Sequence, residues 1–569
     1  MITYRCENCN LQTDLSVCPV CGGRTILVKS TIFWCADCKI PLFEDTCPLC
    51  GKKAKRIASD IRPVFPEERL LLEIILGTPF AFKDASVWNT AGKFYYVDGK
   101  KVELSMSAIR DLNPEAIRVQ LEKYSPENDY DAFKRTIEKF IAANRKRFDY
   151  ITQEAMDYIR TQAEGTDPTE MFVSFSGGKD STVVSDLVMR ALGSQQILHI
   201  YGDTTLEFPE TAKYVKRFKE EHHKTPVITS KNKDKDFYEL CEQLGPPSRV
   251  MRWCCTIFKT GAIQRKIQTL FKNKRRILTF YGIRRSESNS RSKYDRESDS
   301  PKIAVQRTVS PIIDWFDFDI WLYLLTRGID FNNAYRLGYT RVGCWCCPNN
   351  SIWSTFLSSV YMPELHTRWN TFLVDFARRI GKPDPDVYVK EGNWKARQGG
   401  TGIEYSKMSV LTFEPCALQE DTINFELQRP ITEELYELFK PFGYINTSLG
   451  NARLGEVYVV GADGSMQLKL QGKIGKTTLK VSILNPRAAH CISKKAVEDK
   501  IKNQITKYQM CMGCLGCESA CKYGAIEIIT DRTGLVSYRI KDDKCIRCGN
   551  CITHYDGGCY IRKVMCIKR

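Results

Sequence analysis

The sequence of 569 residues has little histidine, no long apolar run and no export signal. With only six histidines, metal sites of mixed cysteine and histidine ligands are disfavoured. The most apolar stretch, residues 70–82, is interrupted by Glu73 and is too short to cross a bilayer. The N-terminal residues lack the pattern of a signal peptide. We therefore expect a cytoplasmic protein with no membrane partner.

The composition also excludes a largely disordered chain. Apolar residues make up 43% and charged residues 27%, as in soluble globular proteins. At roughly 150 residues per domain, a single compact core is excluded as well. The net charge of +17 is spread along the chain without a long Lys/Arg block. Such a charge suits phosphate-bearing ligands or acidic partners, but by itself it does not indicate nucleic acid.

Cysteine, by contrast, is abundant, with 25 residues. Because the cytosol keeps thiols reduced, clustered cysteines there usually bind metal. The first fifty residues contain two copies of a double Cys-x2-Cys pattern, which predicts two closed four-thiolate sites for Zn²⁺, or for single iron ions as in rubredoxin. We expect a docking or stabilising role for them. The predicted ligands are Cys6, Cys9, Cys18 and Cys21 in the first copy and Cys35, Cys38, Cys47 and Cys50 in the second.

A phosphate-binding loop is predicted where a short apolar strand beginning at Met171 runs into a glycine-rich turn and then a helical pattern. The glycines let backbone N–H groups approach a ligand, and the helix N-terminus favours an anion. The motif is not Walker A, which needs four residues between its first glycine and Gly-Lys-Ser/Thr. The predicted nucleotide-binding residues are Ser176, Gly177, Gly178, Lys179, Asp180, Ser181 and Thr182.

Further motifs follow in order: Gly202-Asp-Thr-Thr-Leu-Glu-Phe-Pro-Glu-Thr211, Gly282-Ile-Arg-Arg-Ser-Glu-Ser288, Ser310-Pro-Ile-Ile-Asp-Trp315 and Tyr335-Arg-Leu-Gly-Tyr339. With the loop, they resemble the phosphoadenosine phosphosulfate (PAPS)/adenosine phosphosulfate (APS) reductase family of the PP-loop adenine nucleotide hydrolase superfamily. The resemblance implies an α/β fold with a doubly wound parallel sheet, here with small Cys-rich metal domains at both ends. It also implies an adenine nucleotide ligand (PAPS, APS or ATP) and adds Asp203, Arg284 and Arg285 to the predicted nucleotide-binding residues.

Two cysteine pairs in the same stretch resemble the [4Fe–4S] site of APS reductases. The resemblance assigns Cys254, Cys255, Cys344 and Cys347 as its ligands. The spacing by itself indicates only that the two cysteine pairs could bind one metal site, and it does not identify the metal.

The C-terminal cysteines match the bacterial two-cluster ferredoxin pattern, with Lys522 in place of the usual proline. In such ferredoxins the fourth cysteine of each run ligates the other cluster. We therefore predict one [4Fe–4S] cluster on Cys511, Cys514, Cys517 and Cys559, and a second on Cys545, Cys548, Cys551 and Cys521.

These patterns predict five segments: tandem zinc-ribbon-like knuckles (1–56), a mixed connector with a helical segment (57–165), the PAPS reductase-like domain (166–405), a small α+β domain (406–500) and the ferredoxin-like domain (501–569). The connector contains no motif that indicates a chemical function, and the sequence of residues 406–500 does not indicate a function for that domain.

The catalytic cysteine is the main departure from the family. Sulfonucleotide reductases carry a C-terminal Glu-Cys-Gly-Leu-His segment whose cysteine attacks the sulfate sulfur, and this sequence has no such run. The cysteines left over are Cys241, Cys346, Cys416, Cys491 and Cys566. Cys416, in Glu-Pro-Cys-Ala-Leu, is the nearest equivalent and is our candidate nucleophile, although a lone cysteine is more often a buried structural residue.

Two functions follow from the resemblance. The first is an oxidoreductase that reduces PAPS or APS to sulfite, with electrons from a low-potential donor passing through the ferredoxin-like domain. The alternative is an ATP-dependent sulfur transferase that modifies tRNA or DNA, for which nucleic acid would be a partner. The fused ferredoxin pattern favours the first. The intact Ser-Gly-Gly-Lys-Asp-Ser motif, the absent tail cysteine and the basic net charge favour the second.

The cysteine pattern predicts the metal content. Twelve cluster cysteines at four each give three [4Fe–4S] clusters, and eight knuckle cysteines at four each give two Zn²⁺ ions. Anaerobically purified protein should therefore contain about twelve iron and two zinc atoms per chain by elemental analysis. Iron near eight would mean that one of the three cluster assignments is wrong.

Overall fold

The computed structural model describes residues 3–6, 9, 11–13, 15, 17–23, 25–29, 31–90, 92–272, 274, 276–288, 291–300, 303, 305–397, 403–531, 535–555 and 557–565. The chain forms two compact units. The first comprises Met1–Thr229, Lys274–Asp299 and Gln306–Trp369, and the second Ser230–Asn273, Ser300–Val305 and Asn370–Arg569. The predicted 166–405 segment contributes to both units. Within the described ranges, no helix combines the length and apolar character needed to span a bilayer.

The first unit begins with three small antiparallel sheets. The strands are β1 (Thr3–Cys6), β2 (Gln12–Thr13) and β3 (Thr25–Lys29) in the first sheet, β4 (Ile32–Cys35), β5 (Ile40–Leu42) and β6 (Lys55–Ala58) in the second, and β7 (Arg62–Pro63), β8 (Val87–Thr90), β9 (Phe94–Val97) and β10 (Lys100–Glu103) in the third. Each predicted knuckle thus has its own sheet. In the third sheet, β9 and β10 form an antiparallel hairpin.

The connector has five helices, α1 (Pro66–Ile75), α2 (Met106–Asp111), α3 (Pro114–Tyr124), α4 (Asp131–Ala143) and α5 (Arg145–Ala163). Of these, α4 and α5 share a hydrophobic core with the second knuckle. The break between α4 and α5 lies at Asn144, whose Oδ1 accepts the Phe43 N–H at 2.9 Å while its Nδ2 donates to the Pro41 carbonyl at 3.1 Å. These bonds satisfy backbone groups of the knuckle that would otherwise be buried without partners.

A six-stranded sheet follows, built from β11 (Met171–Phe175), β12 (Leu198–Asp203), β13 (Val227–Lys231), β14 (Ile277–Phe280), β15 (Glu297–Asp299) and β16 (Gln306–Val309). Its order is β13-β12-β11-β14-β16-β15. The pairs β11–β12, β11–β14 and β14–β16 are parallel, and β15 runs antiparallel to β16. The predicted α/β fold with a parallel sheet is confirmed.

The strand order creates a switch point between β11 and β14. From β11 the chain first adds strands on one side of the sheet and then crosses to the other side. In open α/β sheets, ligands bind at the carboxyl ends of the strands where this reversal occurs. The helices of the first unit that follow β11 are α6 (Lys179–Ala191), α7 (Pro209–Glu221), α10 (Asp317–Arg327) and α11 (Ile352–Tyr361), and α12 (Pro363–Arg379) runs from the first unit into the second. The second unit includes α8 (Phe237–Leu244), α9 (Gly261–Leu270) and α13 (Pro385–Lys390).

The second unit is centred on an antiparallel sheet of order β17-β18-β22-β21-β20-β19. Its elements are β17 (Thr412–Pro415), β18 (Thr422–Glu426), α14 (Glu433–Phe439), β19 (Tyr444–Asn446), β20 (Glu456–Val460), β21 (Met466–Gln471), β22 (Thr478–Ile483) and α15 (Lys494–Met510). The C-terminal cysteines lie on and around α16 (Gly516–Ala520), β23 (Ile526–Thr530), β24 (Val536–Ile540), α17 (Asn550–Thr553) and α18 (Tyr560–Met565). One hydrophobic core joins the sheet, α15 and the β23–β24 hairpin.

Candidate nucleotide site and metal centres

The glycine-rich loop lies at the carboxyl end of β11, directly before α6. Gly177 has a φ of 69°, a conformation that side chains disfavour. A Cβ there would also lie 2.9 Å from Thr211 Cγ2, so the position admits only glycine. None of the hydrogen bonds among the described residues uses the N–H groups of Gly177 or Gly178. The first N–H of α6, that of Lys179, donates to the Tyr335 hydroxyl at 3.0 Å. Anion binding by the N–H groups of Gly177 and Gly178 stays a prediction.

Hydroxyl groups hold the loop in this shape. Ser181 Oγ donates to the Gly178 carbonyl at 2.9 Å and accepts the Ser176 N–H at 3.2 Å. Thr182 Oγ1 also reaches the Gly178 carbonyl, at 3.2 Å, and lies 2.8 Å from the Tyr214 hydroxyl. These hydroxyls hold the loop in shape through hydrogen bonds to Ser176 and Gly178.

Lys179 is buried, with 3% of its surface exposed. Its Nζ donates to the Thr340 carbonyl at 3.0 Å and lies 3.4 Å from Asp317 Oδ1 and 3.7 Å from Asp180 Oδ2. Burial lowers the pKa of Lys179, but the two carboxylates outweigh it and raise the pKa above the ordinary value. The ammonium therefore keeps its charge while bound to groups of the protein.

Arg284 completes a buried charge network at the switch point. Its Nε donates to Asp180 Oδ1 at 2.6 Å and its Nη2 to Asp317 Oδ1 at 2.7 Å. The loop that carries Arg284 passes so close to α6 that a Cβ on Gly282 would lie 2.7 Å from the Asp180 carbonyl carbon. Arg285 lies outside the network, because it pairs with Asp314.

Asp60, from the connector, also joins this network. It accepts the N–H groups of Asp317 and Phe318, each at 3.0 Å, at the start of α10. Burial and the Asp317 carboxylate raise the pKa of Asp60 to about 7. Burial acts in the same direction on Asp317, but Lys179 and Arg284 outweigh it and lower its pKa to about 2. Sequence reasoning missed Asp60, which belongs to no motif.

The loop that begins at Asp203, at the carboxyl end of β12, contacts Cys344, one of the predicted cluster ligands. Asp203 ends β12, and its Oδ1 accepts the Thr205 N–H at 2.8 Å. Thr204 Oγ1 donates to Glu207 at 2.6 Å and lies 3.6 Å from Cys344 Sγ. Glu207 and Cys344 form an isolated antiparallel bridge. The loop that follows β12 therefore holds Cys344 in place.

The four cysteines assigned by resemblance are divided between the units. In the first, the Cys344–Cys347 turn is closed by the Cys347 N–H, which donates to the Cys344 carbonyl at 3.2 Å. In the second, Cys254 and Cys255 stand at the start of a π-helical turn, Cys255–Thr260, that runs into α9. Such turns recur at functional sites. Shared ligation by the two pairs stays a prediction.

The two N-terminal knuckles meet the geometric requirement for single metal ions. In each, the four cysteine sulfurs lie within 4.8 Å of one another. The Cys9 N–H points to Cys6 Sγ at 3.5 Å, and the equivalent Cys38 N–H points to Cys35 Sγ at 3.4 Å. Four thiolates this close repel one another unless a cation lies between them. The donor set and spacing fit Zn²⁺ or a single iron ion.

The C-terminal cysteines lie on two turns with matching backbones. Gly513 and Leu515 flank Cys514 with φ of 71° and 60°, and Arg547 and Gly549 flank Cys548 with φ of 55° and 71°. Successive N–H groups in such turns form concave anion-binding surfaces, which recur at iron–sulfur sites. Leu515 is equivalent to Gly549, and Arg547 is equivalent to Gly513, so the same two left-handed positions occur in both turns. Leu515 and Arg547 adopt this conformation although it is unfavourable for side chains. The backbone therefore fits clusters on both turns.

Electrostatic contacts link cysteines within each predicted set, and a contact of Cys551 with Cys517 joins the two sets. Cys514 interacts with Cys559, Cys517 and Cys511, whereas Cys545 interacts with Cys521 and Cys548. Burial is the main cause that raises the pKa of Cys511 and of Cys551, each to about 12. Thiols in such surroundings need a metal to ionise, so the donor chemistry fits iron ligation. The ligand assignments stay predictions.

Within the second unit, the C-terminal cysteines pack against the segment that carries Cys254 and Cys255. A Cβ on Gly261, the first residue of α9, would lie 2.7 Å from Leu515 Cβ. Arg265 Nη2 donates to the Ile528 carbonyl at 2.6 Å. The side chain of Tyr560 bonds to Thr256 and interacts electrostatically with Cys514, Cys255 and Cys254. Tyr560 thus lies between two of the predicted cluster sites.

The remaining cysteines differ in exposure. Cys241, Cys346 and Cys491 are buried, as structural cysteines commonly are. Cys416 is half-buried at the turn after β17, and backbone N–H groups, first that of Leu418, lower its pKa below the ordinary value. It is in the second unit, whereas the glycine-rich loop is in the first. Cys566 lies outside the described residues.

Comparison with known proteins supports the nucleotide site. Residues 170–350 match the family model described as phosphoadenosine phosphosulfate reductase domain. These residues have the PP-loop superfamily fold. The chain is 25% identical over 207 residues to the adenosine 5'-phosphosulfate reductase of Geobacillus sp. (strain WCH70), covering 35% of this chain and 82% of that protein. The predicted family resemblance is confirmed for this segment.

Longer matches are found with two uncharacterized proteins of Methanocaldococcus jannaschii, each 30% identical. They extend over 48% and 46% of this chain and over 55% and 60% of those proteins, so the chain spans somewhat more than half of their length. Among solved structures, the PAPS reductase of Candida auris in complex with phosphate covers 36% of this chain and 96% of its own, at a TM-score of 0.27 and 16% identity.

Lys179→Ala should weaken adenine nucleotide binding at least tenfold while leaving the metal content unchanged. The substitution leaves Asp180 and Asp317 with Arg284 as their remaining cation, so the loop becomes more negative, and a lost charged hydrogen bond costs about 1.5–3 kcal/mol. Equilibrium dialysis with APS, PAPS and ATP measures the effect. Lys213→Ala, which removes an exposed pair with Glu210, is the matched control. Unchanged affinity for all three nucleotides would contradict the site.

Asp60→Asn should flatten the pH dependence of folding stability. The pKa of Asp60 is raised from 3.8 to about 7 in the folded protein, so its stabilising contribution is complete below about pH 4 and is lost as pH rises through about 7. At its steepest this loss is about 1.4 kcal/mol per pH unit. Denaturant unfolding between about pH 4 and pH 8 checks it, with the exposed Asp45→Asn as control. Parallel profiles for Asp60→Asn and the wild type would refute the assignment.

Proposed function

We propose that the chain is an iron–sulfur sulfonucleotide reductase-like enzyme that reduces PAPS or APS to sulfite. The observation that carries the proposal is the match of residues 170–350 to the PAPS reductase domain, with the glycine-rich loop at the switch point of its sheet. The N–H groups of Gly177 and Gly178 would bind phosphate oxygens. The Lys179–Arg284 network would hold the loop rigid behind them.

In the proposed reaction a cysteine thiolate attacks the sulfate sulfur of the nucleotide. A sulfur–sulfur bond forms, and the bond from that sulfur to the bridging phosphate oxygen breaks. The leaving group, adenosine 5'-phosphate from APS or adenosine 3',5'-bisphosphate from PAPS, takes the electron pair. Two electrons from a low-potential donor then cleave the sulfur–sulfur bond, which releases sulfite and regenerates the thiolate. Cys416 is the candidate nucleophile, and its lowered pKa favours the thiolate form.

The second unit supports an electron route to the reductase segment. Cys511, Cys514, Cys517 and Cys559 would hold one [4Fe–4S] cluster, Cys545, Cys548, Cys551 and Cys521 a second, and Cys254 and Cys255 half of a third. Such clusters supply one-electron transfer when bound. Tyr560 interacts with both Cys514 and the Cys254–Cys255 pair, and the Arg265 bond to Ile528 holds the two segments together. These contacts give the C-terminal cysteines a direct packing path to the pair.

A sulfur transferase is the second candidate. The complete Ser-Gly-Gly-Lys-Asp-Ser motif and the absence of a Glu-Cys-Gly-Leu-His run favour it. In that case ATP would be the nucleotide and a tRNA or DNA the acceptor, and the net charge of +17 would suit a polyanionic partner.

The product separates the two functions. Anaerobic wild-type protein with a low-potential donor should release sulfite from PAPS or APS, and should not release pyrophosphate from ATP when nucleic acid is present. Cys416→Ser should lose sulfite release and keep nucleotide binding, whereas Cys491→Ser, in the same unit, should keep both. Pyrophosphate release without sulfite would overturn the reductase in favour of the transferase.

The same assay tests the electron route. Cys514→Ser should stop donor-supported sulfite release and keep nucleotide affinity, because the glycine-rich loop has no part in holding iron. A variant that folds, binds nucleotide and turns over at the wild-type rate would show that the C-terminal cysteines do not conduct the electrons.

A further inference from the structure

A buried lysine lies among the C-terminal cysteines. Lys507, in the last turn of α15, has 1% of its surface exposed. Its Nζ donates to the Cys551 carbonyl at 2.8 Å and lies 6.0 Å from the centre of the Tyr538 ring. Within the part of the chain that the structure describes, no carboxylate comes within 4.0 Å of this ammonium. Burying a cation without a counter-charge is costly, so the site must supply negative charge in another form.

The groups that supply it are sulfurs of both predicted cluster sites. Lys507 interacts electrostatically with Cys517, Cys551, Cys559 and Cys511. Three of these belong to the first predicted cluster, and Cys551 belongs to the second. Neutral thiols cannot balance an ammonium, whereas four thiolates around an iron–sulfur core carry net negative charge. A single buried cation therefore faces two sites whose bound clusters would be anionic.

Packing leaves the lysine little freedom to move away. The helix around it is enclosed: Gln509 Nε2 donates to the Met408 carbonyl at 3.0 Å, and its Oε1 accepts the Gln428 N–H at 3.0 Å. Gln504 donates to the Leu438 carbonyl. The helix ends at Met510, directly before Cys511, so Lys507 is about one turn before the first cysteine run. The positive charge is thus fixed with respect to both turns.

We propose that Lys507 is a shared counter-charge that raises the reduction potentials of both C-terminal clusters. This inference rests on the proposed function, in which these eight cysteines hold the clusters. One-electron reduction by the low-potential donor adds one negative charge to a cluster. A fixed positive charge in a water-poor interior stabilises that reduced state more than the oxidised state. The effect acts on both clusters because the ammonium interacts with ligands of each.

The test is a redox titration of the full-length anaerobic protein, followed by electron paramagnetic resonance. Lys507→Gln should lower the midpoint potentials of both C-terminal clusters by at least about 59 mV. This shift corresponds to a tenfold change in the one-electron equilibrium constant. Lys507→Arg, which keeps the charge, should stay close to the wild type. Lys502→Gln, on the same helix with its ammonium over the Phe413 ring, is the matched control and should leave the potentials unchanged.

Iron content and spectra separate the possible failures. If the spectra of the wild type show no signals from clusters in this region, the proposed function is wrong, and the role of Lys507 falls with it. If Lys507→Gln keeps its iron and spectra but its potentials do not move, the counter-charge role is wrong while the clusters stand. If Lys507→Gln cannot retain iron, the result for Lys507→Arg decides. A Lys507→Arg variant that retains iron and the wild-type potentials supports the requirement for a positive charge. A Lys507→Arg variant that also loses iron refutes that requirement.

Discussion

Arg284 is the residue on which the nucleotide site depends. It bridges Asp180 at the start of α6 and Asp317 at the start of α10, while Lys179 lies between the same two carboxylates. Buried charges of this kind are tolerated only when each has a partner. The network therefore ties the glycine-rich loop, the loop after β14 and the helix after β16 into one rigid arrangement. The N–H groups of the loop are then held in fixed positions, as the proposed phosphate site requires.

The same network extends to the N-terminal part of the first unit. Asp60 follows directly on the second knuckle and accepts two N–H groups at the start of α10. The knuckle itself is bound through Asn144 and shares the hydrophobic core of the parallel sheet. A small four-cysteine fold has too little core of its own and depends on a metal for stability. Its expected role as a docking or stabilising module thus has a physical basis, since it supports elements that shape the site.

In the second unit, charge again decides how the chain is arranged. Three of the C-terminal cysteines are buried, Cys514, Cys517 and Cys559. The buried Lys507 near them has sulfurs instead of carboxylates as its electrostatic partners. The segment that carries Cys254 and Cys255 is attached to the same region through Arg265 and Tyr560. The buried ammonium of Lys507 needs negative charge nearby, and neutral thiols would not supply it. The proposed anionic metal centres would supply it.

The sequence by itself determined the metal-binding patterns, the glycine-rich loop, the parallel α/β fold and the resemblance to PAPS and APS reductases. Local spacing suffices for these features, because a Cys-x2-Cys turn or a strand–glycine–helix junction is encoded within a few residues. Only the tertiary structure decided that Lys179 lies in an internal charge network, that Asp60 joins it and that Lys507 faces both cysteine turns. These contacts join residues far apart in the chain, Arg284 with Asp180 or Asp60 with Asp317. No periodicity or spacing records such pairs, since they arise from the packing of separate elements.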